Sequence, residues 1–274
     1  MSVLAELQEA VQYTFIQRAL LAGCFIALSC SFLGVFLVLR RFSLIGDGLA
    51  HVAFGAIGLG LLLHAHPLYV AVPLVMLASL GILLLTEKAK IYGDAAIGVV
   101  SALGVASGVM LASIGQGFNV DLFSYLFGSI LAISAGEVMF SVLLAVVVFM
   151  GVVLFRHDLF ATTFEEEYAQ VLGIKTRRVT YVLTLGTALT VVLGIRVVGT
   201  MLVSSLIIFP VVTALQLARS FRAALVIAAV AAVGSVVLGI FLSLLSNLPT
   251  GATIVYVNFV FFVIAFFSAR VSRC

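Results

Sequence analysis

Long apolar runs dominate the pattern of hydrophobic and polar positions along this chain, and short polar loops separate them. A helix needs about 20 mostly apolar residues to cross the hydrocarbon core of a bilayer. Seven runs have about that length: 18–39, 44–63, 68–86, 95–115, 137–155, 179–195 and 197–218. The stretch 223–269 has no charged residue and is long enough for two more, with a turn at 247–251. The pattern therefore predicts an all-α, polytopic membrane protein, a helical bundle with eight or nine transmembrane helices.

Three segments between these runs have a different character. Residues 1–17 contain Glu6 and Glu9 and lack a basic start, which favours an amphipathic interfacial helix over a cleavable signal peptide. The apolar piece 122–128 is too short to cross a bilayer and is predicted to be a re-entrant or half helix. The longest polar loop is 156–178.

Composition and charge agree with a membrane protein. Hydrophobic residues make up 64% of the 274 residues and charged residues only 9%, whereas a soluble domain has about 25% charged residues. If loop 156–178 is cytoplasmic, the positive-inside rule is satisfied in all five loops on that side, and only Arg18 and Arg196 fall elsewhere. The N-terminus is then outside and the C-terminus cytoplasmic. No nucleic-acid partner is predicted from the net charge of +3, and the three cysteines lack the spacing of a disulfide framework or a zinc motif.

The candidate chemistry lies near the start of the second run. Asp47 and His51 are four residues apart, so on a helix they share one face. An acid and an imidazole inside a membrane span are costly and usually mark an ion or proton pathway, and together they form half of a divalent-cation site. A rise of about 1.5 Å per residue from Ser43 places His51 roughly 12 Å into the membrane. The alternative is structural, with Asp47 an acid near the helix cap and His51 packed against a neighbouring helix.

Two further groups have both a functional and a structural interpretation. Residues 165–174 predict a short helix, with acids in its first turn and Gly173 at its end, which either docks a soluble partner or lies as a linker at the membrane surface. His64 and His66 follow the second run, where they either contact metal on the outer side or form a solvated turn closed by Pro67.

The remaining polar residues suggest smaller roles, and the sequence contains no catalytic motif. Asp121 and Glu137 are predicted external acids that either face an external binding protein or have structural roles. Arg196 is predicted to be a helix-end anchor, and Asn258 a residue that hydrogen-bonds between helices. The chain has neither a G-x-x-x-x-G-K-[ST] phosphate loop nor an H-E-x-x-H pair. The sequence therefore predicts no enzyme, and any ATP hydrolysis would reside on a separate subunit.

Four elements together resemble the permeases of bacterial ABC importers for zinc, manganese and iron. The run from Leu39 to His51 resembles the start of their second span, with its Gly-Asp-x-x-[Ser/Ala]-His pattern. The other three are Glu167-x-Ala169-x-x-x-Gly173, similar to their coupling-helix motif, Tyr125-Leu126-Phe127-Gly128, and Val198-Gly199-Thr200 with Pro210. Ala50 and the pair Val211–Val212 depart from the commoner family residues.

The resemblance implies a single transmembrane permease domain over 1–274 in the bacterial inner membrane, surrounded by lipid. It implies a homodimer with a cytoplasmic ABC ATPase dimer and an extracytoplasmic metal-binding protein as partners. Asp47 and His51 would line the path as transient ligands of the cargo, and Glu167, Ala169 and Gly173 would couple the chain to the ATPase. No resident cofactor is implied. The later segments favour Zn²⁺ as cargo, with Mn²⁺ or Fe²⁺ as alternatives, and a proton-coupled secondary transporter is the alternative of another class.

Overall fold

The structure is a computed structural model, and it describes residues 12–115 and 133–271. Within these ranges the chain forms helices and turns and no strand, which confirms the all-α prediction. The helices are α1 (Thr14–Leu39), α2 (Ile45–Leu62), α3 (Pro67–Glu87), α4 (Gly93–Ile114), α5 (Ala135–Leu154), α6 (Arg156–Phe164), α7 (Glu166–Val171), α8 (Thr176–Val198), α9 (Thr200–Leu217), α10 (Phe221–Ser246) and α11 (Thr250–Val271).

Nine of the helices in the described ranges are long and apolar enough to cross a membrane, and they match the nine predicted runs. Their ends differ from the prediction by four residues or fewer. The largest shift is at α1, which begins at Thr14, so the first span includes the end of the segment predicted to lie at the interface. Residues 1–11, the piece 122–128 with Tyr125–Gly128, and Asp121 lie outside the described residues.

The chain divides into two compact units. The first comprises Met1–Val35, Phe123–Met150 and Leu193–Cys274, and the second comprises Phe36–Leu122 and Gly151–Val192. The first unit therefore contains α9, α10 and α11, and the second contains α2, α3, α4, α6 and α7. That residues 1–274 act as a single permease domain stays a prediction.

In the first unit, α9, α10 and α11 pack against one another. Gly199, the N-cap residue before α9, has a φ of +87° and a ψ of 165°, a backbone conformation open essentially to glycine alone. This explains the glycine of the Val198-Gly199-Thr200 element. Pro210 lies inside α9, and the neighbouring Phe209 ring meets the ring of Phe259 on α11 edge-on at 6.4 Å.

Two polar features of the first unit bear on the sequence predictions. Arg196, in the last turn of α8, pairs with Glu137 at 3.0 Å between Nε and Oε1, as expected of a helix-end anchor. Glu137 also accepts from the backbone N–H of Ser134, whose hydroxyl accepts from the Glu137 N–H, so the two residues form a capping box. The prediction for Asn258 is wrong: its amide donates to the Ile254 carbonyl of its own helix.

In the second unit, α2 packs against α3 and, more extensively, against α4. Glycines allow the close approach to α4. A Cβ on Gly55 would lie 2.6 Å from the carbonyl oxygen of Gly104, and one on Gly104 would lie 2.7 Å from both the Cα and the N of Val52. Small residues let helix backbones pack closely where lipid supplies no hydrophobic driving force. The helix that carries Asp47 and His51 is thus held backbone to backbone.

Candidate functional site

A tight turn determines where the Asp47–His51 face begins. At the end of α1, the Phe42 N–H donates to the Leu37 carbonyl at 2.9 Å and the Arg41 N–H to the Val38 carbonyl at 3.1 Å. Arg41 itself has a φ of +61°, and this left-handed conformation together with the two hydrogen bonds forms a Schellman motif. Helix α2 then begins at Ile45, within four residues of the turn.

Asp47 and His51 share one face of α2, as predicted. The Asp47 Oδ2 and the His51 Nε2 are 3.5 Å apart, and the side chains are 52% and 42% exposed. Asp47 lies in the first turn of the helix, which agrees with the structural alternative, but the exposed His51 is not packed away. His51 is six residues from the helix start, which is about 9 Å along the axis.

The face of α2 that neighbours this pair packs against α4 and holds it in place. The would-be Cβ of Gly104 on α4 lies 2.9 Å from the carbonyl carbon of His51, so α4 supports the backbone of the imidazole residue directly. One turn nearer the start of α2, a Cβ on Gly48 would lie 2.6 Å from Cγ2 of Ile97. The pair therefore projects from a backbone that has little room to shift toward α4.

No third donor completes a metal site within this chain, as far as the structure describes it. Residues 12–115 and 133–271 contain no group of three or more His, Cys, Asp or Glu side chains able to hold one ion. The chain therefore presents two potential ligands, one carboxylate and one imidazole, on an open face.

His64 and His66 lie in the turn between α2 and α3. His64 has a φ of +53°, and the turn closes with bonds from the Ala65 N–H to the Gly60 carbonyl and from the His64 N–H to the Leu61 carbonyl. This is again a Schellman motif, with histidine in the position that glycine usually takes. The His66 ring lies 5.1 Å from the Tyr69 ring, and both histidines are exposed.

The short helix predicted over 165–174 is α7, and the polar loop also contains a second helix, α6, which the sequence did not predict. Gly173 ends α7 with a φ of +81°, and the Ile174 N–H bonds to the Ala169 carbonyl at 3.0 Å. Gly173 is thus the left-handed stop that the sequence predicts. In the Glu167-x-Ala169-x-x-x-Gly173 motif, Ala169 is fully buried, whereas Glu167 is exposed.

An apolar surface accompanies the motif. Four large apolar side chains of this region are more than half exposed: Phe164, Tyr168, Val171 and Leu172. Exposed apolar clusters on a polar loop commonly mark protein-binding surfaces. These exposed side chains suit both interpretations, a docked soluble partner and a linker that lies at the membrane surface.

Arg40, which the sequence predicts only as a charged residue in a loop, connects α7 and α8. Arg40 has a side chain only 11% exposed, and its Nη2 donates to the Thr180 hydroxyl on α8 at 2.9 Å. The same nitrogen lies 3.6 Å from Oε2 of Glu166, the first residue of α7. The sequence contains one weak signal for this role of Arg40. Two arginines, Arg40 and Arg41, are adjacent, and only one of them is needed to end the span.

Nine helices among the described residues are long and apolar enough to cross a membrane, which is typical of a polytopic membrane protein. The model of the ABC 3 transport family matches residues 12–269, and the chain belongs to this family. The predicted family resemblance is thereby confirmed.

Curated relatives align along nearly the whole chain. The manganese transport system membrane protein MntC of Listeria monocytogenes is 29% identical over 96% of this chain and 94% of its own length. The high-affinity zinc uptake system membrane protein ZnuB of Haemophilus influenzae is 30% identical over 91% of this chain and 95% of its own. The "Probable iron transport system membrane protein" of the same organism is 33% identical over 94% and 95%.

A solved structure has the same fold. PsaBC from Streptococcus pneumoniae in complex with Fab superposes with a TM-score of 0.85 and 27% sequence identity. The match covers 96% of this chain and 95% of that one. The two chains therefore share one fold over nearly their whole length.

Proposed function

We propose that this chain is the permease subunit of an ATP-driven importer that moves a divalent transition-metal cation into the cytoplasm. Membership of the ABC 3 transport family supports an ABC permease, and the three relatives named above are manganese, zinc and iron transport proteins. The sequence has no phosphate-binding loop, so ATP hydrolysis is assigned to a partner chain.

The observation that carries the proposal is the exposure of Asp47 and His51 on a helix that crosses the membrane. A carboxylate facing lipid is strongly unfavourable, so this face needs water or protein against it. A transport path meets that need. We assign both residues as transient ligands of the passing ion.

A second copy of the chain would complete the ligand set. One chain offers a carboxylate and an imidazole, and two copies about a dimer axis would offer four ligands, the number that zinc usually takes in protein sites. Imidazole and carboxylate also suit manganese and iron, so the donor set does not choose between them. Zinc remains the predicted cargo, and the relatives support manganese and iron equally.

The exposed surface of α6 and α7 is assigned to the ATPase. In this proposal Ala169 seats α7 on the membrane part of the chain, and Glu167 and the apolar side chains around Tyr168 face the ATPase. Gly173 stops the helix so that the chain can return into α8. The chain then lies in the inner membrane, with this loop and the C-terminus on the cytoplasmic side and the N-terminus on the outer side.

The same orientation places the turn between α2 and α3 on the outer side. His64 and His66 then face an extracytoplasmic metal-binding protein. The Schellman geometry accounts for the backbone of His64 without any ligand, so metal contact at these residues is the weaker part of the proposal.

Metal uptake tests the pathway. Cells carrying the permease with its ATPase are given labelled Zn²⁺, Mn²⁺ and Fe²⁺ in parallel, with wild type, Asp47→Ala and His51→Ala compared at matched membrane levels. Asp94→Ala is the matched control, because this exposed carboxylate lies in the first turn of α4, as Asp47 does in α2, and has no proposed role. Loss of uptake of one ion in both pathway variants identifies the cargo, whereas unchanged uptake would make the pair structural.

The same experiment separates the alternative class. A proton-coupled secondary transporter, in which Asp47 and His51 pass protons, needs no ATPase subunit. Uptake that persists without the ATPase, or with Glu167→Ala present, would favour that alternative. Uptake that stops in both cases supports the importer.

A further inference from the structure

Arg40 is a charged side chain withdrawn from solvent at the junction of three elements. It lies in the turn after α1, and its guanidinium reaches Thr180 on α8 and Glu166 at the start of α7. Burial lowers the pKa of Arg40 and the Glu166 carboxylate raises it, so the carboxylate offsets part of the burial. Glu166 is the one carboxylate within 4.0 Å of Arg40 among the described residues.

Arg40 is also close in the chain to the ligand pair. Asp47 follows it by seven residues, and the turn between them is short and closed by backbone hydrogen bonds. Phe42 in this turn lies against the start of α4, where a Cβ on Gly93 would be 3.1 Å from its ring. A displacement of Arg40 would therefore be passed to the first turn of α2 and could not be absorbed by a long loop.

Helix α7 has a second link to the same end of α8. The Gln170 side chain donates to the Thr176 hydroxyl at 3.3 Å. On the other side of this end, Arg177 Nε lies 3.1 Å from Glu87 Oε2 of α3. The N-terminal end of α8 thus contacts α3 through Arg177, α7 through Thr176 and Arg40 through Thr180.

We propose that Arg40 is a positioning residue that transmits movement of α7 to the start of α2, where the cargo ligands lie. This proposal rests on the proposed function. When the ATPase moves α7, Glu166 moves with it. The charge of Arg40 is removed from water and is costly without a partner, so the turn that holds Arg40 follows the Glu166 carboxylate. The adjacent Arg41 is exposed and serves no such role.

The test uses the permease with its ATPase and its extracytoplasmic metal-binding protein in proteoliposomes and measures both ATP hydrolysis and uptake of Zn²⁺, Mn²⁺ and Fe²⁺. The variants are Arg40→Gln, Arg40→Lys and Glu166→Gln, with Arg41→Gln as the matched control. The readout is the number of ions taken up per ATP hydrolysed, which a loss of folded protein alone does not change.

We expect Arg40→Gln to lose most of this ratio and Arg41→Gln to leave it unchanged. Glu166→Gln should lower it similarly, and the double variant Arg40→Gln/Glu166→Gln should be no worse than either single one. Arg40→Lys should fall between wild type and Arg40→Gln, since it keeps the charge without the guanidinium geometry.

Each contrary outcome is specific. Wild-type uptake driven by ATP, with an unchanged ratio in Arg40→Gln and Glu166→Gln, overturns this inference and leaves the proposed function intact. If Arg40→Gln does not fold, the half-exposed Glu166 still allows the test through Glu166→Gln. Wild-type protein that takes up none of the three ions with ATP overturns the proposed function and this inference with it.

Discussion

The close contact between α2 and α4 makes a prediction that depends on one methyl group. In Gly104→Ala, the new Cβ would lie 2.7 Å from both the Cα and the N of Val52 and 2.9 Å from the carbonyl carbon of His51. All three atoms belong to the backbone, so no side-chain rotation can relieve the contact. Gly98→Ala on the same helix is the matched control, because nothing lies within 4 Å of its Cβ position.

The magnitude follows from these distances. Non-bonded carbons prefer separations of about 3.5–4.0 Å, so the two helices must part by roughly 1 Å at this point. Overpacking of this kind costs about 1–3 kcal/mol. Replacing glycine by alanine inside a helix returns up to about 1 kcal/mol through backbone entropy, and this gain is shared by Gly98→Ala. The difference between the two variants therefore isolates the packing cost of about 1–3 kcal/mol.

The assay is thermal unfolding of the purified permease, with uptake measured in parallel. We expect Gly104→Ala to be less stable than Gly98→Ala and to lose uptake, because the displaced backbone carries His51. Adding Val52→Ala should not rescue it, since the contact is with backbone atoms. Equal stability and uptake in Gly104→Ala and Gly98→Ala would refute backbone contact between α2 and α4.

Three further predictions concern single positions. His64→Gly should keep or raise stability by up to about 1 kcal/mol in thermal unfolding, because His64 has the left-handed conformation that glycine adopts without strain; a clear loss would contradict the Schellman assignment. Gly173→Asn should retain more of the ATPase stimulation by the permease than Gly173→Val, since the site has open space and a φ of +81°, and equal loss would point to contact instead of backbone conformation. Asn258→Leu should be neutral or stabilising in thermal unfolding, because its buried Oδ1 has no hydrogen-bond partner in the part of the chain that the structure describes, and marked destabilisation would reveal one.

Much of the fold could be predicted from the sequence because hydropathy in a membrane protein is a local signal. Each span must satisfy its own backbone hydrogen bonds and remain apolar for about 20 residues, so its position can be read without knowing its neighbours. The shared face of Asp47 and His51 is equally local, since it depends only on helical spacing. The left-handed stop at Gly173 belongs to the same group.

Features that depend on tertiary contacts could not be predicted in this way. Arg40 and Thr180 are 140 residues apart in sequence, and nothing in either segment indicates the other. The spacing of Gly104 and Gly108 was a usable signal for close helix packing, but it does not name α2 as the partner. The sequence predicted a contact for Asn258 that does not form. A polar residue in a span does not have to bond to another helix, and Asn258 donates to a carbonyl of its own helix.

Two neighbouring faces of α2 have separate tasks. Glycines and the peptide groups between them form the face against α4, and Asp47 and His51 lie on the neighbouring face. The closest contacts of these glycines reach the backbone of His51 and neither side chain of the pair. Under the proposed function, a substitution at either position would therefore change the donor atoms offered to the ion while the backbone contacts between α2 and α4 remain.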